Sequence, residues 1–298
     1  MSKGFIKAGD LPFMKELSVK QTDPALETTA LAQLPVALQK ELDRPGQAVA
    51  TREVDNVIQL PLWHELERGT PNSFLRSALF SAIQSKDRQF LKEATLASSK
   101  DVTVKFTGEQ LNQEDLTVWE TLVHLARNSP LGNVCTFTAH GLLKSLGLHT
   151  GGAEHRRLHS TIIRLNGAVV DITHEGKQYF GTLVQSGVKD VLTKHYAIKL
   201  NPELIRLYGE TQWTALNWNQ RLQLRSKSLA QALHGYYSTH YRPFPVKLAT
   251  LQHYTGSQTT HPRSFKRQVK RALDELVTIE FLERYQVEGD LVTVWRLT

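Results

Sequence analysis

An α+β fold made of one helix–helix–hairpin unit used twice, behind an arm without regular structure, is the class the sequence predicts. Three observations predict it. The first is residues 261–277. Wound at about 100° per residue, they place Phe265, Val269, Ala272, Leu273 and Leu276 on one arc and Arg263, Lys266, Arg267, Lys270 and Arg271 on the other. His261-Pro262 sets the start, because the first helical turn tolerates the N–H that proline lacks, and no acid interrupts the basic face before Asp274 and Glu275. The second is the segment just beyond that helix: residues 281–287 and 291–295 alternate as strands around Glu288-Gly289-Asp290. The third is that the same order of elements occurs once before, with Glu175-Gly176-Lys177 at the turn. A charged amphipathic helix is most often a solvated face; the hairpin after this one changes the reading. Helix, basic helix, hairpin is the order of a winged helix, whose second helix enters a DNA major groove. The prediction is two tandem winged-helix domains, at residues 70–200 and 201–298, preceded by a flexible N-terminal arm over 1–69.

Composition agrees. The 298 residues suffice for two domains, and a net charge of +7 favours a polyanionic partner. The excess lies beyond the first 60 residues, which carry 7 Lys and Arg against 8 Asp and Glu. The single cysteine, Cys135, leaves no internal disulfide and no Cys-cluster zinc site, which suits a reducing cytosol. No apolar run has the length of a membrane span and the N-terminus lacks a signal-peptide core, so a soluble, cytoplasmic chain is expected.

Along the chain, residues 1–58 show no sustained period, and Pro12, Pro24, Pro35 and Pro45 punctuate them. Gln59-Leu60-Pro61-Leu62-Trp63 is then a dense apolar cluster, which docks either on the core or on a partner; the residues alone favour the core. Residues 72–83 fit a helix or a strand equally, and 102–106 alternate as a strand. Asn112 followed by Glu114 and Asp115 opens a helix with a Leu116, Trp119, Leu122, Val123 and Ala126 stripe, closed by Ser129-Pro130. Residues 138–146 and 153–165 form the first copy's helix pair, the second helix burying Leu158, Ile162 and Leu165 and turning Arg156, Arg157, Ser160 and Arg164 outward, with Ile163 off the apolar face. Strands at 169–173 and 178–184 make its hairpin. A strand at 196–200, a short helix capped by Asn201-Pro202-Glu203, and one long helix over 217–237 lead to the second copy. Arg242-Pro243-Phe244-Pro245 is a rigid connection. The candidate DNA-binding residues are Arg156, Arg157, Ser160, Arg164 and Lys177 in the first copy, and Arg263, Ser264, Lys266, Arg267, Lys270 and Arg271 in the second.

Catalytic patterns are poor. Twelve histidines include no His-x-His pair, and His155 and His159, at i, i+4 spacing, enclose Arg156-Arg157-Leu158 where a zinc hydrolase has its glutamate base. No Gly-rich loop precedes Lys-Ser or Lys-Thr. No enzyme activity, metal or cofactor is expected, and Cys135 reads as a small buried hydrophobe.

Three segments carry a family resemblance. Phe74-Leu75-Arg76-Ser77-Ala78-Leu79-Phe80 is similar to the entry of the first domain of the TrfA family of plasmid replication initiators. Leu131-Gly132 through Thr136-Phe137-Thr138, with Leu142 and Leu146-Gly147-Leu148, resembles its middle, and residues 236–248, from Tyr236-Tyr237 to Lys247-Leu248, resemble its most distinctive segment. The likeness runs from about residue 59 to the end. It implies a plasmid-associated protein that binds direct repeats (iterons) at an origin, opens an AT-rich segment, and recruits the host initiator DnaA and the replicative helicase, with no chemistry of its own. It also implies exchange between a monomer and a dimer. In that light Gln59, Leu60, Leu62 and Trp63 look like the Gln-Leu-x-Leu-Phe peptide that enters the pocket of the sliding clamp, with Trp63 in place of Phe and Pro61 in the variable position. Two other functions use the same elements: a tandem winged-helix transcriptional regulator, which would bind a palindrome without melting DNA, and a tyrosine-dependent DNA-processing enzyme, which would leave a covalent adduct.

Overall fold

The structure, a computed structural model, describes residues 60–100, 102–129, 133–174, 176–209 and 212–297. Residues 1–59, and with them the predicted flexible arm and Gln59, lie outside the described residues, as does Glu175 of the first hairpin turn. Leu60 and Trp63 are already buried, so the described fold takes in the segment 60–69 that the sequence assigns to the arm. β1 (Glu67–Pro71) leads into α1 (Asn72–Leu75) and β2 (Phe80–Ser81). The ambiguous residues 72–83 are thus one helical turn plus a two-residue strand; neither period shows because Phe74, Leu75, Leu79 and Phe80 are all buried. β3 (Phe90–Leu96) pairs antiparallel with β4 (Val102–Glu109), whose Val102, Val104 and Phe106 point inward at strand period. β5 (Leu111–Asn112) pairs with β2 and delivers the chain to α2 (Gln113–Ala126). Asn112 caps that helix reciprocally. Its side-chain oxygen accepts the N–H groups of Glu114 and Asp115 at 3.1 and 3.2 Å, and Asp115 Oδ2 accepts the N–H of Asn112 at 2.9 Å.

β6 (Val134–Thr138) runs into α3 (Ala139–Ser145), capped by Thr138 Oγ1, which accepts the Gly141 N–H at 3.0 Å. α4 (Gly152–Gly167) follows, then the hairpin of β7 (Val169–His174) and β8 (Lys177–Thr182), which joins β3 and β4 in the sheet order β3-β4-β7-β8. A second hairpin, β9 (Val184–Lys189) and β10 (His195–Leu200), pairs with β6. After α5 (Pro202–Ile205), β11 (Trp213–Asn217) returns to pair antiparallel with β1. Leu204, Ile205, Leu207, Tyr208, Leu216 and Trp218 all pack in the first core. The second core begins at Leu224, so the first copy extends past the predicted boundary at residue 200.

The long helix predicted over 217–237 is two helices, α6 (Trp218–Gln223) and α7 (Ser228–Ser238), with Ser226 between them in the left-handed region at φ 63°. The break falls where the chain passes from one core to the other: Leu222 rests on the first and Leu224 is buried in the second. β12 (Val246–Lys247), α8 (Leu248–Thr255), α9 (Pro262–Thr278), β13 (Leu282–Glu288) and β14 (Leu291–Arg296) complete the second copy, with sheet order β12-β14-β13. Gly256 ends α8 at φ 60°, the left-handed C-terminal position, and sits against Ser81 so closely that a Cβ would overlap it. Both copies therefore repeat helix, helix and hairpin in the winged-helix order.

Polar contacts fasten α6 to the first copy and the second copy to the first. Arg221 of α6 and Glu120 of α2, neither with any side-chain exposure, form an ion pair at 2.6 Å. Thr70 Oγ1 donates to Glu120 at 2.9 Å, and Arg221 donates to the Gln113 carbonyl at 3.2 Å. Burial pushes the Glu120 carboxyl up; Arg221, Thr70 and Arg68 pull it back toward ionisation. Arg225 donates to the carbonyls of Leu146 and Gly147 at the end of α3, and the Ala82 N–H donates to the Thr255 carbonyl at 2.7 Å. Among the described residues no helix is long and apolar enough to cross a membrane.

Candidate nucleic-acid interface

α9 buries Phe265, Val269, Ala272, Leu273 and Leu276, the arc its period predicts. On the other side Arg263, Arg267, Lys270 and Arg271 are exposed and make no ion pair among the described residues, and Ser264 and Lys266 are half-buried. Lys266 is not a free surface cation. Its ammonium donates to the Gly289 carbonyl at 2.6 Å and fastens the helix to the wing turn. The acids later in the helix are occupied within the fold: Glu275 pairs with Lys227, and Asp274 accepts the Tyr285 hydroxyl at 2.6 Å. The N-terminal half of α9 thus presents uncompensated positive charge and its C-terminal half does not. On the wing, Arg284 lies 4.0 Å over the Trp295 ring, a pairing across the two strands that the sequence does not single out.

α4 differs from the prediction at one cation. Leu158, Ile162 and Leu165 are buried, and Arg156, Arg157 and Ser160 are exposed, as expected. Arg164, however, is turned inward: it donates to Asp115 Oδ1 at 2.8 Å and lies 3.3 Å from Glu109, with its side chain 14 % exposed. The reason is Asp115, a fully buried carboxylate that the capping box already uses, whose charge is met by Arg164 and by Arg88 at 2.6 Å. Arg157 pairs at the surface with Glu114 at 3.4 Å and Glu154 at 3.9 Å. Arg156, Ser160 and the 57 % exposed Ile163, one turn apart in succession, are the outermost line of the helix. Lys177 is exposed at the start of β8.

Beside α4 the second hairpin encloses an open cleft of about 540 Å³ lined by His155, Arg156, His159 and Ser160 from the helix and by Lys189 and Lys194 from β9 and the turn after it. The His159 ring nitrogen Nδ1 and the Tyr196 hydroxyl are 3.2 Å apart, and burial, with Lys189 nearby, holds His159 below its ordinary range. Lys189 and Lys194 are not among the residues the sequence suggests, because a lysine every few residues in a turn carries no period. Among the described residues no group of three or more His, Cys, Asp or Glu is placed to hold a metal ion. Cys135 is buried in β6, and burial pushes its thiol up to about 12. Tyr196, Tyr208, Tyr236 and Tyr237 are buried, and burial raises each phenol; Tyr241 is 77 % exposed.

The apolar segment after Gln59 docks on the core, as its residues alone favour, and so is not part of an open arm. Leu60 is buried, and only Leu62, 79 % exposed, projects outward. The Trp63 ring stacks on Tyr208 at 5.9 Å, leans on Trp213 at 5.6 Å, and has the Arg127 guanidinium over it at 5.6 Å. Gly69 makes room for it, since a Cβ there would come within 2.6 Å of the ring. Trp63 Nε1–H donates to His124 Nδ1 at 3.0 Å, and Arg127 donates to the same nitrogen. With Nδ1 an acceptor, the His124 proton sits on Nε2, 3.1 Å from Glu65 Oε2. Burial first, then Arg68 and Arg127, push the His124 pKa down to about 4, and its hydrogen bond with Arg127 nearby holds Glu65 below the usual carboxylate range.

Known proteins share this plan. The model of a family described as TrfA protein matches residues 41–296. The plasmid replication initiator protein TrfA of Escherichia coli is 26 % identical over 274 residues, spanning 86 % of this chain and 70 % of that protein. Among solved structures, one of domains 2 and 3 of RctB superposes with a TM-score of 0.54 at 11 % identity, over 76 % of this chain and 98 % of that one. A second structure of the same domains gives 0.50 at 12 % identity, over 72 % and 92 %. At such identities the structural likeness speaks to the fold.

Proposed function

This chain belongs to the TrfA family of plasmid replication initiators, and on that premise we propose that it grips directly repeated origin sites (iterons) with α4 and α9 as its two groove-entering helices. The observation that carries the reading is the face of α9: Arg263, Arg267, Lys270 and Arg271 exposed and unpaired among the described residues, on the helix that a winged helix lays in the major groove. α6, pinned to the first copy by Arg221 and Glu120 and to the second by Gln220 donating to the Ile279 carbonyl at 3.2 Å, supports a fixed relation between the two helices, suited to neighbouring grooves of one duplex. Tethering makes the second contact intramolecular, which adds orders of magnitude to affinity without new chemistry.

Opening of an AT-rich segment, recruitment of DnaA and the replicative helicase, and monomer–dimer exchange rest on the family alone. Contact with the sliding clamp through Gln59, Leu60, Leu62 and Trp63 requires in addition that Leu60 and Trp63 leave the core. The test is titration of the full chain on its origin fragment and on a scrambled duplex of equal length, across salt. We expect origin binding tighter by about 10³ or more, and Arg267→Ala/Lys270→Ala to flatten the slope of log K against log salt by about 2. Equal affinity for the two duplexes would sink the repeat reading, and protection of a single palindrome would favour the regulator.

A further inference from the structure

We propose that the β9–β10 hairpin is a third DNA contact: with the first half of α4 it clamps the sugar–phosphate backbone bordering the groove that α4 enters. This rests on the reading that α4 faces DNA, and adds to it an element outside the winged-helix plan.

The charge on α4 is thin. Arg164 is spent on Asp115, and Arg157 is shared between Glu114 and Glu154, which leaves Arg156 as the cation of the helix with no carboxylate partner among the described residues. α9 presents four such cations. The hairpin makes up the difference, bringing Lys189 and Lys194 opposite Arg156 across a cleft of about 540 Å³ whose lining includes no Asp or Glu. Its remaining polar side chains, Thr150, His155, His159 and Ser160, can each donate a hydrogen bond. Cations and donors without an acid are what a phosphodiester selects, and an open cleft of this volume admits more than a single ion.

The hairpin is also held in place before any ligand arrives. Asp190 Oδ1 accepts the N–H groups of Leu192 at 2.8 Å and Thr193 at 2.9 Å; these bonds fix the turn and hold the carboxyl below its ordinary range, outside the cleft lining. The Ala139 N–H donates to the Lys194 carbonyl at 3.1 Å and ties the tip to α3. Lys189 Nζ lies 5.4 Å from the centre of the Tyr196 ring, and the Tyr196 hydroxyl is bonded to His159 of α4. Lys194 occupies the left-handed region at φ 59°, where a glycine is cheaper, and its ammonium donates to the Val191 carbonyl while keeping two protons for another acceptor. Among the described residues the second copy has no counterpart of this hairpin; its own wing turn carries Glu288 and Asp290. The tip's exposed Val191 and Leu192 suit a protein partner also. The cations of the cleft favour the polyanion.

The experiment uses the full chain carrying Lys189→Ala and Lys194→Gly, glycine being chosen because it keeps the left-handed backbone without strain. Salt titrations on origin and scrambled duplexes should show slopes shallower than wild type by about 2, with equal loss on both duplexes, because backbone contacts carry no sequence information. The melting temperature should not move, and Lys189→Arg/Lys194→Arg should restore the slope. An unchanged slope in a chain whose binding still depends on Arg267 and Lys270 would overturn the clamp and leave the function of α9 standing. No DNA binding by wild type would overturn both. Loss of self-association with DNA binding unaltered would assign the tip to a protein partner. Loss of free mononucleotide binding at an unchanged DNA slope would make the cleft a nucleotide site. Either result overturns the clamp.

Discussion

Trp63 shows what single residues decide. Its ring is held by Tyr208, Trp213 and Arg127, and its nitrogen by His124. Removing such a side chain costs its transfer energy plus a cavity, so Trp63→Ala should lower unfolding stability by about 3–5 kcal/mol, read by urea denaturation. Leu62→Ala, at an exposed site, should stay within about 0.5 kcal/mol of wild type. The pair separates the two uses of the segment on immobilised sliding clamp: retention lost in Leu62→Ala at unchanged stability would establish the clamp contact, and no retention of wild type at low salt would end it. His124 of this site and His234 of α7 together set a pH dependence. His124 titrates at about 4 and the fully buried His234 at about 3, both pushed down first by burial, against an unfolded value of 6.5. Between those values the unfolded chain binds more protons than the folded one, so stability is full above pH 6.5 and falls as pH drops through the window. Each histidine contributes a slope of up to about 1.4 kcal/mol per pH unit. His234→Gln should make the measured slope shallower; an identical slope would mean that His234 takes up its proton without unfolding. The density of apolar residues at 60–63 was legible in the sequence. Their partners were not, because His124, Tyr208 and Trp213 lie far along the chain and nothing local names them.

At the scale of elements, legibility tracked the purity of each helix. α9 could be read because five apolar residues hold one arc and no acid enters the opposite face for three turns. α4 could be read only in part: Arg157 and Arg164 stand seven residues apart, nearly aligned on the wheel, and periodicity does not distinguish a flank that meets Asp115 from a front that meets solvent. β4 and the Asn112 cap were legible from alternation and cap chemistry, while the break at Ser226 was not, since Leu222, Leu229, Leu233 and Tyr236 keep a helical spacing across it. The two kinds of arginine make opposite predictions. Arg164→Ala should leave Asp115 with Arg88 alone and cost about 1–3 kcal/mol of stability, with the salt slope of DNA binding unchanged. Arg267→Ala should leave stability alone and reduce that slope by about 1. A slope change in a stably folded Arg164→Ala would return that residue to the DNA face.

For the molecule as a whole, the repeat of helix, helix and hairpin was legible from element order, but the way the copies join was not. Glu120 follows Trp119 in a helix stripe and reads as a solvated acid; Arg221 lies in what reads as the start of the second domain. Their meeting is a tertiary fact. It changes where the chain can be cut: a fragment beginning at residue 217 carries Trp218, Arg221 and Leu222 away from the core and partner they pack against, so its weak binding would report damage as well as loss of a module. Substitution at the joint is the cleaner test. Breaking one side of a buried pair strands a charge, so Glu120→Ala and Arg221→Ala should each cost about 3–5 kcal/mol. Replacing both sides with groups of similar volume, Glu120→Gln with Arg221→Met, leaves Arg68, held by the Glu65 and Glu67 carbonyls, as the nearby cation and should cost much less than the two single losses combined. That double variant isolates rigidity from stability. If the joint sets the spacing of α4 and α9, the double variant should melt near wild type yet bind the origin fragment more weakly, moving toward the affinity of one module, while scrambled duplex changes little. Wild-type origin affinity in a stable double variant would mean that the two helices need only a tether between them, and that the buried pair serves folding alone.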